Sequence, residues 1–133
     1  MMNLCCKQIL CENPCANSSL YCKVTNQGSL LVAFYIDYSI GATFHRKTSS
    51  LIKTNNSGVI KLPTFATNIA IRILNKSVAN SPVIYSKNMS SPSKVCFLVQ
   101  GSPENPICDQ VLCNPRNNIT NPCLCTNVFI NCN

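Results

Sequence analysis

Residues 30–40 read LLVAFYIDYSI, and the alternation of side chains along this stretch decides the fold class. One set consists of Leu30, Val32, Phe34, Ile36, Tyr38 and Ile40, and the other of Ala33, Tyr35, Asp37 and Ser39. A period of two is typical of a β-strand with one buried face. Gly28 precedes the stretch and Gly41 ends it, as expected for turns. The stretch is therefore predicted to be a half-buried strand.

The sequence on both sides repeats this pattern. Residues 65–74 alternate most clearly, with Phe65, Thr67, Ile69, Ile71 and Ile73 in one set. Further strands are predicted at 43–53, 59–62, 83–85 and 95–100, separated by polar turns. Regular short strands without a helix between them favour an all-β fold. We predict an antiparallel β-sandwich or small barrel of about six to eight strands.

All eleven cysteines lie towards the two ends of the chain. They are Cys5, Cys6, Cys11, Cys15 and Cys22 at one end and Cys96, Cys108, Cys113, Cys123, Cys125 and Cys132 at the other. A chain of 133 residues can form one domain with its own core. We therefore predict a single domain, 1–133, with a β core at 23–100 between disulfide-rich irregular segments at 1–22 and 101–133. Residues 2–11 are the one place where a short helix fits.

The cysteines are interpreted as a structural disulfide network. Such networks form in oxidising compartments because cytosolic thiols are kept reduced, so we expect a secreted or cell-surface protein, with a virion component as the alternative. All eleven are candidates, ten can pair, and the pairing cannot be read from their spacing. The eleventh is expected to be a free buried thiol or a bond to another chain. Cys5 and Cys6 are expected to have different partners.

Zinc binding is the alternative use of the cysteines, because zinc sites favour closely spaced cysteine pairs. The nearest matches are Cys11 with Cys15 and Cys123 with Cys125, and neither has two intervening residues. His45, the only histidine, is far from both pairs in the sequence. We predict no metal site and no cofactor.

The start of the chain shows no apolar leader before Cys5. The secreted reading therefore requires that a signal peptide has been removed. Acceptor triplets for N-glycosylation agree with secretion, although a sequence rich in Asn and Ser produces several by chance. The candidate glycosylation sites are Asn17, Asn55, Asn75, Asn88 and Asn118.

The scarcity of titratable side chains argues against an enzyme. General acid–base catalysis needs a histidine or closely placed carboxylates. The chain has one histidine and four acidic residues, spread widely along it. We interpret His45 as a solvated strand residue, and no phosphate-binding loop or nucleophile motif is present in the sequence.

The formal charge of +7 favours an anionic partner. The predicted strands place several basic residues where they could form an outward-facing stripe that binds anionic glycans or a membrane surface. These candidates are Arg46, Lys47, Lys53, Lys61, Arg72 and Lys76. Solvated strand faces and protected sheet edges explain the same lysines equally well. Nucleic acid is not expected as a partner, because aromatic residues are few and Trp is absent.

Two functions follow from these features. The first is a non-enzymatic structural or adhesive subunit that self-associates or joins other subunits of an extracellular or virion assembly. An intermolecular disulfide is one way in which such subunits could be joined. The alternative is a secreted cationic effector, either lectin-like, membrane-active or inhibitory, that binds anionic glycans or lipids through its basic strand face.

Overall fold

A computed structural model describes Leu20–Cys113 in full, together with the backbone of two further strands nearer the chain ends. The strands are β1 (Cys6–Leu10), β2 (Leu20–Asn26), β3 (Val32–Ile40), β4 (Thr43–Thr48), β5 (Asn56–Leu62), β6 (Thr67–Asn75), β7 (Val83–Met89), β8 (Val95–Gly101), β9 (Pro106–Val111) and β10 (Thr126–Ile130). The described residues contain no helix, and so none that could cross a membrane.

The chain divides into two compact units. One unit is Leu20–Cys113, and the other combines Met1–Ser19 with Asn114–Asn133. In the second unit, β1 pairs with β10 in antiparallel register. The two ends of the chain therefore meet in a β-ladder. The short helix predicted within residues 2–11 is wrong, because Cys6–Leu10 forms a strand.

Unit Leu20–Cys113 is a sandwich of two four-stranded sheets, with strand orders β5-β2-β8-β9 and β4-β3-β6-β7. The predicted all-β sandwich is confirmed, and its eight strands match the expected number. Neighbouring strands are antiparallel except β2 and β8, which are parallel. A parallel pair needs a long connection, and here the chain builds the whole opposite sheet between these two strands.

The core lies between the sheets and follows the predicted alternation. Val32, Phe34, Ile36 and Tyr38 on β3 are buried, as are their neighbours on β6, Ile69, Ile71 and Ile73. The opposite sheet contributes Val24 from β2 and Phe97 and Val99 from β8 to the same cluster. The sequence pattern thus identified the central strands and their buried faces.

The alternation fails at Ala33, which is buried although it belongs to the second set, and at three positions near one end of the sandwich. Ile40 is 36% exposed at the last residue of β3. Phe65 is 80% exposed and precedes β6, whereas Ala66, which alternates with the set that contains Phe65, is buried. The cause at Phe65 is a turn in which the Ala66 N–H donates to the Pro63 carbonyl, so the residue lies in a loop.

Several predicted boundaries also differ from the structure. The stretch 43–53 is a strand only through Thr48, and Ile52 then forms an isolated bridge with Val32. The segment 101–133 was expected to be irregular, but it contains the strands β9 and β10. β9 is a strand because all six of its residues pair with β8, from Cys96 to Gly101.

We call one end of the sandwich, formed by residues 27–31, 53–55, 76–82 and 101–105, the polar end. The buried side-chain amide of Asn26 connects loops of this end through hydrogen bonds. Its Nδ2 donates to the carbonyls of Leu30 (2.6 Å) and Ile52 (3.0 Å). Its Oδ1 accepts from the Gly28 N–H (2.9 Å). The side chain is fully buried, so these bonds replace water as its partners.

Asn75 has the same role for the remaining loops of the polar end. Its Nδ2 donates to the Pro103 carbonyl (3.0 Å), and its Oδ1 accepts from the Ser77 N–H (3.0 Å). The next residue, Lys76, donates its N–H to the Leu31 carbonyl. Each loop of this end is therefore tied to another by hydrogen bonds.

Replacing Asn26 with alanine is expected to lower the free energy of unfolding by about 2–4 kcal/mol, because three hydrogen bonds are lost and buried backbone groups lose their partners. Urea denaturation measures the loss. Asn56→Ala is the matched control, since Asn56 pairs with Asn26 in the β2–β5 ladder but its side chain is exposed. Equal losses in both variants would contradict the role given to Asn26.

Candidate functional site

The end of the sandwich opposite the polar end consists of the β3–β4 turn at Gly41 and Ala42, loop 63–66 and loop 90–94. The strand registers place these loops together, since Ser39 pairs with Phe44 and Thr67, and Leu20 pairs with Leu62. Gly41 has a φ of 61°, which suits the tight turn between β3 and β4. Both ends of the unit, Leu20 and Cys113, also lie here.

Large apolar side chains are exposed at this end. Phe65 is 80% exposed, Leu112 77%, Phe44 64% and Ile40 36%. Phe44 is exposed because it points away from the core on the edge strand β4, and Phe65 because it lies in a loop. We call this end the apolar end. Several large exposed apolar side chains at one end of a domain are a candidate interaction surface.

The charges around the apolar end are all positive. Lys61 and Lys94 lie at its border, and Lys47 donates from its Nζ to the Lys61 carbonyl (3.4 Å). No Asp or Glu occurs among the described residues that form this end, namely 20–22, 39–44, 61–67, 89–95 and 111–113. The surface is therefore apolar at its tip and cationic at its border.

The predicted basic residues do not form a single stripe. Arg46 and Arg72 lie on the outer face of one sheet, where Arg46 makes a two-pronged ion pair with Asp37 (2.6 and 2.8 Å) and stacks over the Tyr35 ring. Arg72 donates to Asn88. The hydrogen bonds to Asp37 raise the pKa of Arg46 above its ordinary value.

The other four predicted basic residues divide between the two ends. Lys47 and Lys61 meet at the shared edge of β4 and β5, near the apolar end. Lys53 and Lys76 are exposed at the polar end. The structure thus places two of the six candidates beside the apolar surface, two on an outer sheet face and two far from either.

A cleft of about 460 Å³ opens beside the apolar end, between the edge strands β7 and β9. Its basic side chains are Lys87 and Lys94, and its polar lining includes Ser90, Ser93 and Gln110. A neighbouring cleft of about 520 Å³ shares part of this wall and contains Arg72. Sequence reasoning missed Lys87 and Lys94, because the sequence pattern does not show that both line a cleft between strands of different sheets.

His45 is half-buried rather than fully solvated. Its ring stacks on Tyr38, with centroids 5.2 Å apart and planes inclined by 17°. The stacking follows from the register, since the two residues pair across β3 and β4. His45 therefore packs against the edge of the core.

The described cysteines correct part of the disulfide prediction. Cys96 and Cys113 form a disulfide, with Cα atoms 5.0 Å apart, inside the C-terminal cluster. Cys22 and Cys108, predicted as candidates for bonding, are free thiols. Cys22 points into the core and Cys108 packs against it, and each behaves there as a small apolar side chain. The predictions at Cys5, Cys6, Cys11, Cys15, Cys123, Cys125 and Cys132 lie outside the described side chains.

The described glycosylation candidates differ in accessibility. Asn55 and Asn88 are exposed, and Asn55 adopts the left-handed φ of a turn residue. Asn75 is 1% exposed, and both the nitrogen and the oxygen of its side-chain amide are hydrogen-bonded inside the protein. A glycan on Asn75 is incompatible with this fold, because the side chain has no route to solvent. Asn17 and Asn118 lie outside the described residues.

A scan against protein-family models finds no match, and a search of the curated proteins finds none either. Solved structures do match. The chain resembles the membrane-binding domain of pneumolysin, with a TM-score of 0.54 and 14% identity, covering 69% of this chain and 95% of that domain. It also resembles the cytotoxin suilysin from Streptococcus suis, with a TM-score of 0.55 and 15% identity over 71% of this chain.

These likenesses concern the fold. The matched part is 23% of the suilysin chain and 23% of a structure described as a trapped toxin, to which the present chain is 16% identical with a TM-score of 0.53. The chain thus spans about a quarter of those toxins and nearly all of one isolated domain. At such identities the shared feature is the β-sandwich.

Burial raises the pKa of the Cys22 thiol to about 12, with a smaller contribution from Cys108. At about pH 8 the thiolate fraction is then on the order of 10⁻⁴, so iodoacetamide is expected to leave Cys22 unmodified in the folded protein. Denaturation should make it react fully. Peptide mass spectrometry measures both states, and rapid native labelling would contradict the burial of this thiol.

Proposed function

We propose that this chain is a secreted, non-enzymatic module that binds membrane surfaces through its apolar end. Phe44 and Phe65 enter the interfacial region of the bilayer, while lysines at the border of this end remain at the level of the headgroups. The fold likeness to a membrane-binding domain supports the proposal at the level of architecture. The chain's own side chains supply the rest of the argument.

The observation that carries the proposal is the exposure of two phenylalanines on the same end of the sandwich. Phe65 is 80% and Phe44 64% exposed, so each presents most of its ring to water. Moving a large apolar side chain out of water is favourable by about 1.5–3 kcal/mol when burial is complete. The sandwich core is filled by other residues, and these rings therefore remain available for an external apolar phase.

The charge distribution selects the kind of membrane. The described residues of the apolar end include Lys61 and Lys94 and no carboxylate. Cationic side chains beside an inserting apolar surface are attracted to anionic lipids. Salt weakens this attraction, whereas it leaves the apolar contribution largely intact. The proposed target is a bilayer that carries anionic headgroups.

A structural subunit joined by intermolecular disulfides has less support among the described residues. The two free thiols there are Cys22, which is fully buried, and Cys108, which packs against the core. A bond from Cys22 to another chain would require the sandwich to open. Self-association after membrane binding is compatible with the proposal and stays a prediction.

The double variant Phe44→Ala and Phe65→Ala is expected to weaken binding to anionic vesicles by about tenfold or more, because both inserting rings are lost. Sedimentation of the full-length protein with vesicles of phosphatidylcholine and phosphatidylserine measures the change. Wild-type binding should also weaken in high salt and be lower on vesicles of phosphatidylcholine alone.

The matched control is Leu51→Ala with Val78→Ala, which removes two exposed apolar side chains from positions outside the apolar end. This control should bind as the wild type does. Equal binding by wild type and the phenylalanine variant would refute insertion at the apolar end. Binding to immobilised anionic glycans without any binding to vesicles would indicate a glycan ligand instead.

A further inference from the structure

We propose that a cleft on the outer face of the β4-β3-β6-β7 sheet binds the carboxylate group of an acidic sugar. The cleft lies along β6 and the end of β7, and its volume is about 520 Å³. Its lining includes Asn68, Ala70, Arg72, Asn88 and Ser90, and none of the described residues that line it is acidic. We call it the Arg72 cleft. The inference goes beyond membrane binding and does not depend on it.

The side chain of Arg72 is held in this cleft by its own hydrogen bonds. Its Nη1 donates to the Ile71 carbonyl (2.9 Å) and to the Asn88 Oδ1 (3.1 Å). Arg72 pairs with Ser86 of β7 and Asn88 pairs with Ala70 of β6, so the bond to Asn88 runs diagonally across the two strands. A guanidinium group that is already ordered loses less entropy when it binds a ligand.

One edge of the Arg72 guanidinium group is left for a ligand. Both of its bonds use Nη1, and neither Nε nor Nη2 has a hydrogen-bond partner among the residues that the structure describes. Arg46 shows what this edge binds, since its Nε and Nη2 donate to the two carboxylate oxygens of Asp37 at 2.6 and 2.8 Å. The planar pair of donors matches a carboxylate. The ligand takes at Arg72 the place that Asp37 takes at Arg46.

The carboxylate of Asp37, on the same sheet face, does not neutralise Arg72. Asp37 pairs with Ala70 across β3 and β6 and with Arg46 across β3 and β4. Both of its oxygens are bound by Arg46, on the side of β3 that is farther from β7. Arg72 is half-buried and forms no salt bridge within Leu20–Cys113. A partly desolvated charge without a counterion is costly, and a bound carboxylate offsets that cost.

The neutral groups around Arg72 suit the hydroxyl groups of a sugar. An arginine N–H can only donate, so the Asn88 Oδ1 faces Arg72 and the Asn88 Nδ2 remains as a donor. Asn68 adds a second amide to the lining and Ser90 adds a hydroxyl group, and neither side chain has a hydrogen-bond partner among the described residues. A cleft with one charged group and several neutral polar groups fits a ligand that combines one negative charge with hydroxyl groups.

The test is a titration of the full-length protein with glucuronic acid, followed by the amide NMR signals of residues 68–72 and 88–90. Glucose has the same ring without the carboxylate, and acetate supplies the carboxylate without the ring. Mass spectrometry first confirms that Asn88 carries no glycan, because this residue is also a candidate glycosylation site.

Two variants change the site in different ways, and one serves as a control for charge. Arg72→Lys keeps the charge and loses the planar pair of donors, whereas Asn88→Asp places a carboxylate beside Arg72 that competes with the ligand. Lys53→Gln removes an exposed positive charge from the polar end. Wild type and Lys53→Gln should bind glucuronic acid alike, and both cleft variants should bind it about tenfold more weakly. Urea denaturation checks that all variants are folded.

Several results would overturn the site. They are no binding of glucuronic acid by the wild type, undiminished binding by both cleft variants, or an equal weakening in Lys53→Gln, which would show that only net charge matters. Glucose that binds as tightly as glucuronic acid would show that the carboxylate is not recognised. Acetate that binds as tightly would overturn the assignment of a sugar. No vesicles are used, so failure of this site leaves the proposed membrane binding to its own test.

Discussion

The fold depends on one constraint, which is that each four-stranded sheet must cover its apolar face with the other sheet. Residues such as Phe34 and Ile71 on one side and Phe97 and Val99 on the other fill the space between them. Once this core is closed, it admits little else. Polar loops, charges and surplus apolar side chains are therefore left to the two ends and the outer faces, where any interaction with another molecule must occur.

The two ends of the sandwich differ in the side chains that they carry. At the polar end, Asn26 and Asn75 tie successive loops together through buried hydrogen bonds. At the apolar end, exposed phenylalanines occupy positions whose backbone is set by a tight turn and a short loop. Hydrogen-bonded loops at one end and exposed apolar side chains at the other are expected of a binding module. In such a module a rigid scaffold holds the contact residues in position.

The sequence predicted the core well because alternation in a strand reports directly on burial. It was wrong at Phe65, which lies in a loop before β6 and is the most exposed phenylalanine among the described side chains. It assigned Cys22 to the disulfide set because counting cysteines does not tell which face each one occupies. The sequence did not identify Lys87 and Lys94 as residues of one cleft, because this cleft forms only where strands of different sheets come together.

Insertion of the apolar end is tested most directly with a single tryptophan, because the chain contains none. Phe65→Trp places this reporter at the tip, and Val78→Trp places it at the polar end. With anionic vesicles that contain brominated lipids, the account predicts a blue-shifted, strongly quenched emission from Phe65→Trp and an unchanged emission from Val78→Trp. An unchanged emission from Phe65→Trp when the protein is bound to vesicles would contradict the account.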